Sequence, residues 1–162
     1  MSANPFPADP DRSAIWTMLV DRDIAAFIAA DWSMVAHDFM PEQFLGIDGK
    51  GADNPDGWRI GFPTLAAYRD EWLRQARESQ AVAYAEDREA AIHRATTLVD
   101  IEINGDVALA RKKFDGTIAR ADGGKDTLNW QTLYFCRRDA GVWKLTGFAG
   151  YLPYPMGSQG KA

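Results

Sequence analysis

The stretch from Leu128 to Pro153 has the sequence LNWQTLYFCRRDAGVWKLTGFAGYLP. It is rich in aromatic and β-branched side chains, which suit the pleated, half-buried surface of a β-sheet. A polar segment at 138–141 divides it into two apolar runs and predicts the loop of a β-hairpin. If these four residues are unpaired, Arg137 lies opposite Val142, and the pairing of the two strands follows from that register.

The predicted register gives the hairpin two different faces, because successive side chains of a strand point to opposite sides. One face is mainly apolar and is expected to be buried: Trp130, Thr132, Tyr134, Cys136, Trp143, Leu145, Ala149 and Tyr151. The other face is mixed and is expected to line a wet cavity or to meet a partner: Asn129, Gln131, Leu133, Phe135, Lys144, Thr146 and Phe148.

Length and composition indicate one domain. The chain has 162 residues, of which 46% are hydrophobic, with six Trp, enough for one sizeable core. We expect the domain to span residues 9–153, between a flexible lead-in at 1–8 and a flexible tail at 154–162.

Charge and cysteine content exclude several classes of partner and location. Lys and Arg number 18 against 23 Asp and Glu, a net charge of -5, and no basic stripe is present, which argues against a nucleic-acid partner. The single cysteine, Cys136, cannot form a disulfide within the chain and reads as a small hydrophobe, which favours a reducing cytoplasm. No export leader and no run of about 20 apolar residues is found, so we expect no membrane partner.

The first predicted helix contains an acid where its pattern asks for a hydrophobe. It starts at Asp9-Pro10 and runs to about Ala30, with an apolar stripe of Trp16, Leu19, Val20 and Phe27. Asp23 falls inside that stripe. A carboxylate there must be paired, for example with Arg111 or Arg137, or be hydrated in a cavity, or lie at a break in the helix.

The remaining elements follow in a simple order. Asp31 is expected to cap a short helix, residues 44–48 form a short strand, and residues 49–57 form a turn-rich loop. A further helix runs from Pro63-Thr64 to about Ser79, while residues 81–94 have no clear preference. Strands at 94–103 and 107–114 flank Asn104-Gly105-Asp106, a strong hairpin signal. Helices followed by successive antiparallel strands predict an α+β fold, a curved antiparallel sheet packed around the N-terminal helices.

This order of elements, ending in Asp139-Ala140-Gly141-Val142-Trp143-Lys144-Leu145, resembles the nuclear transport factor 2-like (SnoaL-like) superfamily over residues 9–153. The resemblance implies a cone-shaped fold with an internal pocket, commonly in a homodimer joined through its sheets. Members include ketosteroid isomerases, polyketide cyclases, dehydratases, epoxide hydrolases and pocketed proteins without known activity. The fold therefore leaves the function open.

In the ketosteroid isomerase branch, the resemblance implies a general-base aspartate at the end of the first strand, the place of Asp48. Asp48-Gly49 is also an ordinary turn pair. The first-helix tyrosine of those isomerases would fall near Asp23, and their second acid near Leu133, so this chain departs from their pattern at both places.

Three residues are candidates for acid–base chemistry: Asp48, Asp23 and His37. His37 and His93 are the only histidines and neither has metal-ligand spacing, so we expect neither a metal nor another cofactor. Small-molecule pockets combine apolar walls with a few polar groups. The candidate ligand-binding residues of that kind are Tyr68, Trp72, Trp130, Gln131 and Tyr134.

Two functions remain compatible with these residues. One is a cofactor-independent isomerase, cyclase, dehydratase or hydrolase acting on a small apolar ligand, in which Asp48 or Asp23 is the base. Its hydrogen-bond partner would be Gln131, Tyr134 or His37. The other is a non-catalytic ligand-binding or dimerisation module. In either case the apolar side chains Leu133, Phe135 and Phe148 on the outer sheet face predict a homodimer.

Overall fold

The first helix begins where the sequence predicts and contains a wide turn. The structure is a computed structural model that describes residues 2–157. Helix α1 (Pro10–Trp16) is capped by Asp9, whose carboxylate accepts a hydrogen bond from the Arg12 amide. It continues through a π-helical turn at Thr17–Arg22 into α2 (Asp23–Ala29), which ends at Ala30 in a left-handed conformation. Asp23 is the first residue after the wide turn.

Three short 3₁₀ turns replace the single short helix expected after Asp31. They span Trp32–Met34, Ala36–Asp38 and Pro41–Gln43. The Asp31 carboxylate does cap the first of them, accepting from the Ser33 amide at 2.9 Å.

Two later helices complete the helical layer. Helix α3 (Leu65–Gln80) starts at Thr64, whose hydroxyl accepts from the Ala67 amide. The region without a clear preference contains an irregular segment and then α4 (Arg88–Ala95), so the following strand begins at Thr96 rather than at Arg94. Within residues 2–157 no helix is both long and apolar enough to cross a membrane.

The sheet has six strands, and one pair of them is parallel. The strands are β1 (Leu45–Asp48), β2 (Arg59–Phe62), β3 (Thr96–Asn104), β4 (Val107–Ala119), β5 (Lys125–Asp139) and β6 (Val142–Leu152). Their order across the sheet is β2-β1-β6-β5-β4-β3. Neighbours are antiparallel, as predicted, except that β1 runs parallel to β6. Register shifts in β1/β2, β3/β4 and β5/β6 bend the sheet towards the helices. The α+β prediction is confirmed.

The predicted register of the last hairpin is wrong by two residues. Asp139 pairs with Val142, so the loop is only Ala140-Gly141, both with positive φ, as a tight two-residue hairpin turn requires. Further along, the pairing shifts between Cys136↔Leu145 and Phe135↔Gly147. This extra residue in β6 reverses the facing of the residues beyond it.

The shift moves Phe148 to the inner face of the sheet, opposite Tyr134, whereas we expected Phe148 on the outer face and Ala149 on the inner one. Phe148 is 3% exposed and joins the core instead of the outer surface. Trp143, Leu145 and Cys136 lie before the shift and are buried as predicted.

An aromatic cluster closes one end of the core, between the 3₁₀ turns, α3 and the inner face of the sheet. Tyr68 is at its centre, with ring centroids 4.8 Å from Phe148 and 5.6 Å from Phe44. Such contacts bury large rings in mutually fixed orientations. The other members are Trp32, Phe39, Phe62, Trp72 and Phe27.

The two ends expected to be flexible make contacts with the domain. Asn4 donates to the Ser13 hydroxyl at 2.9 Å, and the Gly157 amide donates to Asp53 at 2.6 Å. Residues 158–162 of the expected tail lie outside the described residues.

Candidate functional site

A cavity of about 380 Å³ lies between α2, α3 and the inner face of β4, β5 and β6. We call it the main cavity. Its volume falls in the range of small-molecule sites, which begins near 300 Å³. Most of its wall is apolar: Ile24, Phe27, Trp72, Val82, Ile92, Phe114, Ile118, Leu128, Trp130 and Phe148.

Asp23 lines the main cavity and forms an ion pair with Lys112 of β4. Lys112 Nζ lies 2.8 Å from Asp23 Oδ2, and it also donates to the carbonyl of Leu19. The Lys112 side chain is 1% exposed and that of Asp23 is 32% exposed. Asp23 Oδ1 has no hydrogen-bond partner among residues 2–157, and Asp23 is one of the residues that line the cavity.

The π-helical turn explains how the helix receives this lysine. In a regular α-helix the Asp23 amide would donate to the Leu19 carbonyl four residues earlier. Here it donates to Val20 instead, and the Leu19 carbonyl accepts from Lys112. Wide turns of this kind are frequent at functional sites. The anomaly in the apolar stripe therefore combines three of the expected environments: pairing, a cavity and a helix irregularity.

Two tyrosines, Tyr68 and Tyr134, also line the main cavity, each with one hydroxyl group. Neither makes a hydrogen bond to any residue in the described part of the chain. Burial, followed by the charge interactions with Tyr134 and Asp23, raises the pKa of Tyr68 well above its usual value. Burial and Asp23 do the same to the pKa of Tyr134. Both hydroxyls therefore stay protonated and can act as neutral hydrogen-bond donors to a ligand.

One wall of the main cavity is formed by Gln75, Trp130 and Tyr151, which we call the partition. Gln75 Nε2 donates to the Tyr151 hydroxyl at 2.9 Å and to Glu71 Oε1 at 2.9 Å. The Trp130 and Tyr151 rings lie 6.1 Å apart. Tyr151 has a φ of 54°, which is uncommon for a bulky residue.

The rim of the main cavity is polar. Tyr84 donates to Asp126 Oδ2 at 2.7 Å, and Arg120 donates to Asp126 Oδ1 at 3.1 Å. These contacts join the irregular segment after α3 to the beginning of β5. Glu78 and Thr127, both exposed, lie beside them at the opening.

Asp48 does not line the main cavity. It lies beyond the partition, in an open groove of about 980 Å³, which we call the outer groove. Its Oδ1 accepts from the Lys50 amide at 2.8 Å, the usual local bond of an aspartate in a turn. Asp23 and Asp48 therefore line different spaces.

His37 and Gln131 lie outside the main cavity as well. The His37 side chain is 68% exposed, with Nε2 3.6 Å from Asp38 Oδ1. Gln131 is buried on the outer side of the sheet, where its amide donates to the Pro153 carbonyl and accepts from Arg111. Of the candidate ligand-binding residues, Tyr68, Trp72, Trp130 and Tyr134 line the cavity together.

The partner of Asp23 is a residue that the sequence analysis missed. Arg111 and Arg137, the partners we considered, bond to Gln131 and Gln43 instead. The signal for Lys112 was present in β4, where Ala108, Ala110, Phe114 and Ile118 mark the inward positions. Lys112 is an even number of residues from each of these four, so strand alternation alone places its side chain on the inner face.

Comparison with known proteins identifies the fold. No family model and no curated protein matches the sequence. Solved structures do match. One is a nuclear transport factor 2-like protein of unknown function from Pseudomonas putida, with a TM-score of 0.56, 16% identity and coverage of 87% of this chain and 85% of that one.

Two further solved structures match this chain over most of its length. A nuclear transport factor 2-like superfamily protein from Salmonella enterica has a TM-score of 0.55 at 13% identity, over 91% of this chain and 94% of that one. A protein from Novosphingobium aromaticivorans, described as nuclear transport factor 2-like with a cystatin-like fold, has a TM-score of 0.54 at 15% identity, over 94% and 84%. This chain therefore has the nuclear transport factor 2-like fold.

Proposed function

We propose that this protein binds a small, largely apolar molecule in the main cavity and catalyses a proton transfer on it without a cofactor. The observation that carries the proposal is the meeting of one carboxylate with two free hydroxyl donors between apolar walls. These groups are Asp23, Tyr68 and Tyr134. A fitting ligand is a cyclic ketone or a related ring with one carbonyl group.

In this reaction Asp23 Oδ1 removes a proton from the carbon beside the carbonyl, and the electron pair moves onto the carbonyl oxygen. Tyr68 and Tyr134 donate hydrogen bonds to that developing oxyanion, which a water-excluded site stabilises more than bulk water does. Return of the proton from Asp23 to the same or a conjugated carbon regenerates the carboxylate and gives the starting ketone or an isomer. Lys112 acts on Asp23, holding it by its charge and its hydrogen bond.

The test is hydrogen–deuterium exchange into β-tetralone, a bicyclic ketone of suitable size, in deuterium oxide followed by NMR. We expect the protein to accelerate exchange, Asp23→Asn to reduce the acceleration by about 100-fold or more, and Tyr134→Phe to reduce it by about 10-fold. Tyr154→Phe is the matched control, because it removes one tyrosine hydroxyl and does not line the main cavity. Circular dichroism of each variant verifies that it is folded.

The second candidate is a non-catalytic ligand-binding module, and a specific observation favours it. Asp23 is already paired with a buried lysine, and such a pair can serve the packing of α2 on the sheet. A protein that binds β-tetralone with no acceleration of exchange would be this module and not an enzyme of the proposed kind.

A further inference from the structure

The partition separates two spaces by the thickness of one layer of side chains. Gln75, Trp130 and Tyr151 line the main cavity on one side and the outer groove on the other. One hydrogen bond, from Gln75 to the Tyr151 hydroxyl, joins α3 to β6 across this layer. Gln75 and Tyr151 are therefore the side chains whose rotation would break the hydrogen-bonded part of this layer.

The two spaces differ in chemistry. The main cavity is mostly apolar; its polar groups are the Asp23–Lys112 pair, the tyrosines, Gln75, Ser79, Thr132 and the rim. The outer groove carries the acids Asp48 and Glu71 and the cations Lys50 and Arg59, so its charges balance. A carboxylate or an ammonium head group would be repelled by the like charges there as well as attracted by the opposite ones, whereas a neutral group with many donors and acceptors would find partners of both kinds.

We propose that the outer groove is a second subsite and that the protein takes an amphipathic ligand across the partition, a ring in the main cavity carrying an uncharged polyhydroxyl head in the groove. The Gln75–Tyr151 hydrogen bond closes the passage between the two subsites and must break for a ligand to pass; we call it the door. This inference rests on the proposed function for the ring subsite and adds the head-group subsite and the door. It assigns Asp48 a binding position at the groove and no part in the proton transfer.

The geometry around the door supports a movable element. Gln75 is held by Glu71 on the groove side, and Arg74 and Gln75 together lower the pKa of Glu71 to about 2, so Glu71 remains an ionised acceptor. When the bond to Tyr151 opens, the Gln75 amide keeps this second partner. Breaking one hydrogen bond of a buried polar group costs less free energy when the group keeps another hydrogen bond than when it is left without a partner.

The experiment compares β-naphthol with β-naphthyl glucoside, which shares its ring and adds an uncharged sugar. Binding is followed by quenching of tryptophan fluorescence at equilibrium and by stopped flow. We expect the glucoside to bind at least as tightly as the naphthol. Lys50→Ala or Asn129→Ala should each weaken binding of the glucoside by about 3-fold to 10-fold, the value of one hydrogen bond. Neither should change the affinity for the naphthol. Arg77→Ala, an exposed cation of α3 that lines neither space, is the matched control.

The door is tested with two tyrosine variants, each lacking one hydroxyl. Tyr151→Phe should raise the association rate of the glucoside by about 5-fold, leave its dissociation rate nearly unchanged and so tighten its dissociation constant by about 5-fold, because the hydrogen bond is present in the free protein and already broken in a complex that spans the partition. Tyr154→Phe, at a tyrosine that lines neither space, should change neither rate.

The possible outcomes separate the head-group subsite, the door and the proposed function from one another. If β-naphthol binds and its glucoside binds more than about 10-fold more weakly, the head-group subsite is wrong and the ring subsite stands. If the glucoside binds well and Tyr151→Phe leaves its rates unchanged, the door is wrong. If neither compound binds, the proposed function fails and the inference fails with it.

Discussion

At the scale of single residues, the Asp23–Lys112 pair is the feature that most constrains this protein. Removing one member of a buried pair leaves the other charge without compensation, whereas replacing both by apolar residues is often nearly neutral. The pair is asymmetric, since Lys112 is 1% exposed and Asp23 is 32% exposed. Loss of the acid should therefore be more costly than its own exposure suggests.

We expect Asp23→Ala to lower the free energy of unfolding by roughly 3 kcal/mol, because it leaves Lys112 buried beside Phe114 with only a carbonyl partner. The double variant Asp23→Leu with Lys112→Met should return to within about 1 kcal/mol of the wild type. Urea denaturation measures both values. Asp100→Ala is the matched control, because Asp100 is 55% exposed and its partner Lys113, at 22% exposed, keeps contact with solvent, unlike Lys112; it should cost less than about 1 kcal/mol. If Asp23→Ala also costs less than about 1 kcal/mol, the ion pair does not contribute to stability as a buried pair does.

A second residue-scale prediction concerns Cys136. Burial raises the pKa of its thiol from 9.0 to about 12. Between these values the unfolded chain loses the proton and the folded chain keeps it, so the unfolded state binds fewer protons and stability falls as pH rises. The loss is about 1.4 kcal/mol per pH unit.

Comparison with Cys136→Ala isolates this effect from the titration of the buried tyrosines. Between pH 8 and about 10.5, the wild type should lose about 2 kcal/mol more stability in urea than the variant does. The packing cost of the substitution is equal at both pH values and cancels. Equal pH slopes for the two proteins would mean that the thiol titrates normally in the folded state.

At the scale of elements, the shift in β6 determines which side chains reach the cavity. It occurs beside Gly147, whose backbone lies directly against Leu45 of the parallel strand β1. A Cβ at position 147 would collide with the Leu45 carbonyl oxygen. This glycine is therefore required for the close approach of the two strands, and the approach holds Phe148 on the inner face.

Gly147→Ala should lower the free energy of unfolding by roughly 3 kcal/mol, since one strand must move away from the other. Gly105→Ala is a control for backbone conformation alone, because position 105 has positive φ and no atom within contact distance. It should cost about 1 kcal/mol. Thermal or urea unfolding of the two variants checks the difference. Equal costs would mean that β1 can shift without loss.

At the scale of the whole molecule, the homodimer stays a prediction, but different exposed residues now support it. Phe148 does not contribute to the outer surface, because it lies inside. The outer face of the sheet still presents Phe135 at 39% and Val107 at 54% exposure, with a shallow depression between them. A two-fold contact through this face would cover both side chains.

We expect sedimentation of the wild type at micromolar concentration to show a dimer and Phe135→Asp to show a monomer, because a charge buried in an interface has no partner. Ile60→Asp is the control: Ile60 is 62% exposed on β2 at the edge of the sheet, and its replacement should leave the dimer intact. A monomeric wild type would contradict the prediction. Disruption by Ile60→Asp alone would move the interface to the edge strand.

The local pattern of the sequence was sufficient for features that depend on near neighbours along the chain. Asp9 and Thr64 cap their helices because a cap needs only the next few backbone amides. Strand alternation located the inward residues Tyr134 and Cys136, and it would also have located Lys112. The break in the apolar stripe correctly marked Asp23 as unusual, because a charged side chain among hydrophobes always requires compensation.

The tertiary structure decided everything that depends on residues distant in sequence. The last hairpin differed from the prediction in two ways: its loop is only Ala140-Gly141, and an extra residue in β6 shifts the pairing between Leu145 and Gly147, where β6 lies against β1. The same shift turned Phe148 inward. The partner of Asp23 lies 89 residues away on β4, and Asp48 was separated from Asp23 by the partition. Such contacts are selected by the packing of whole elements against one another, a physical constraint that no local stretch of sequence contains.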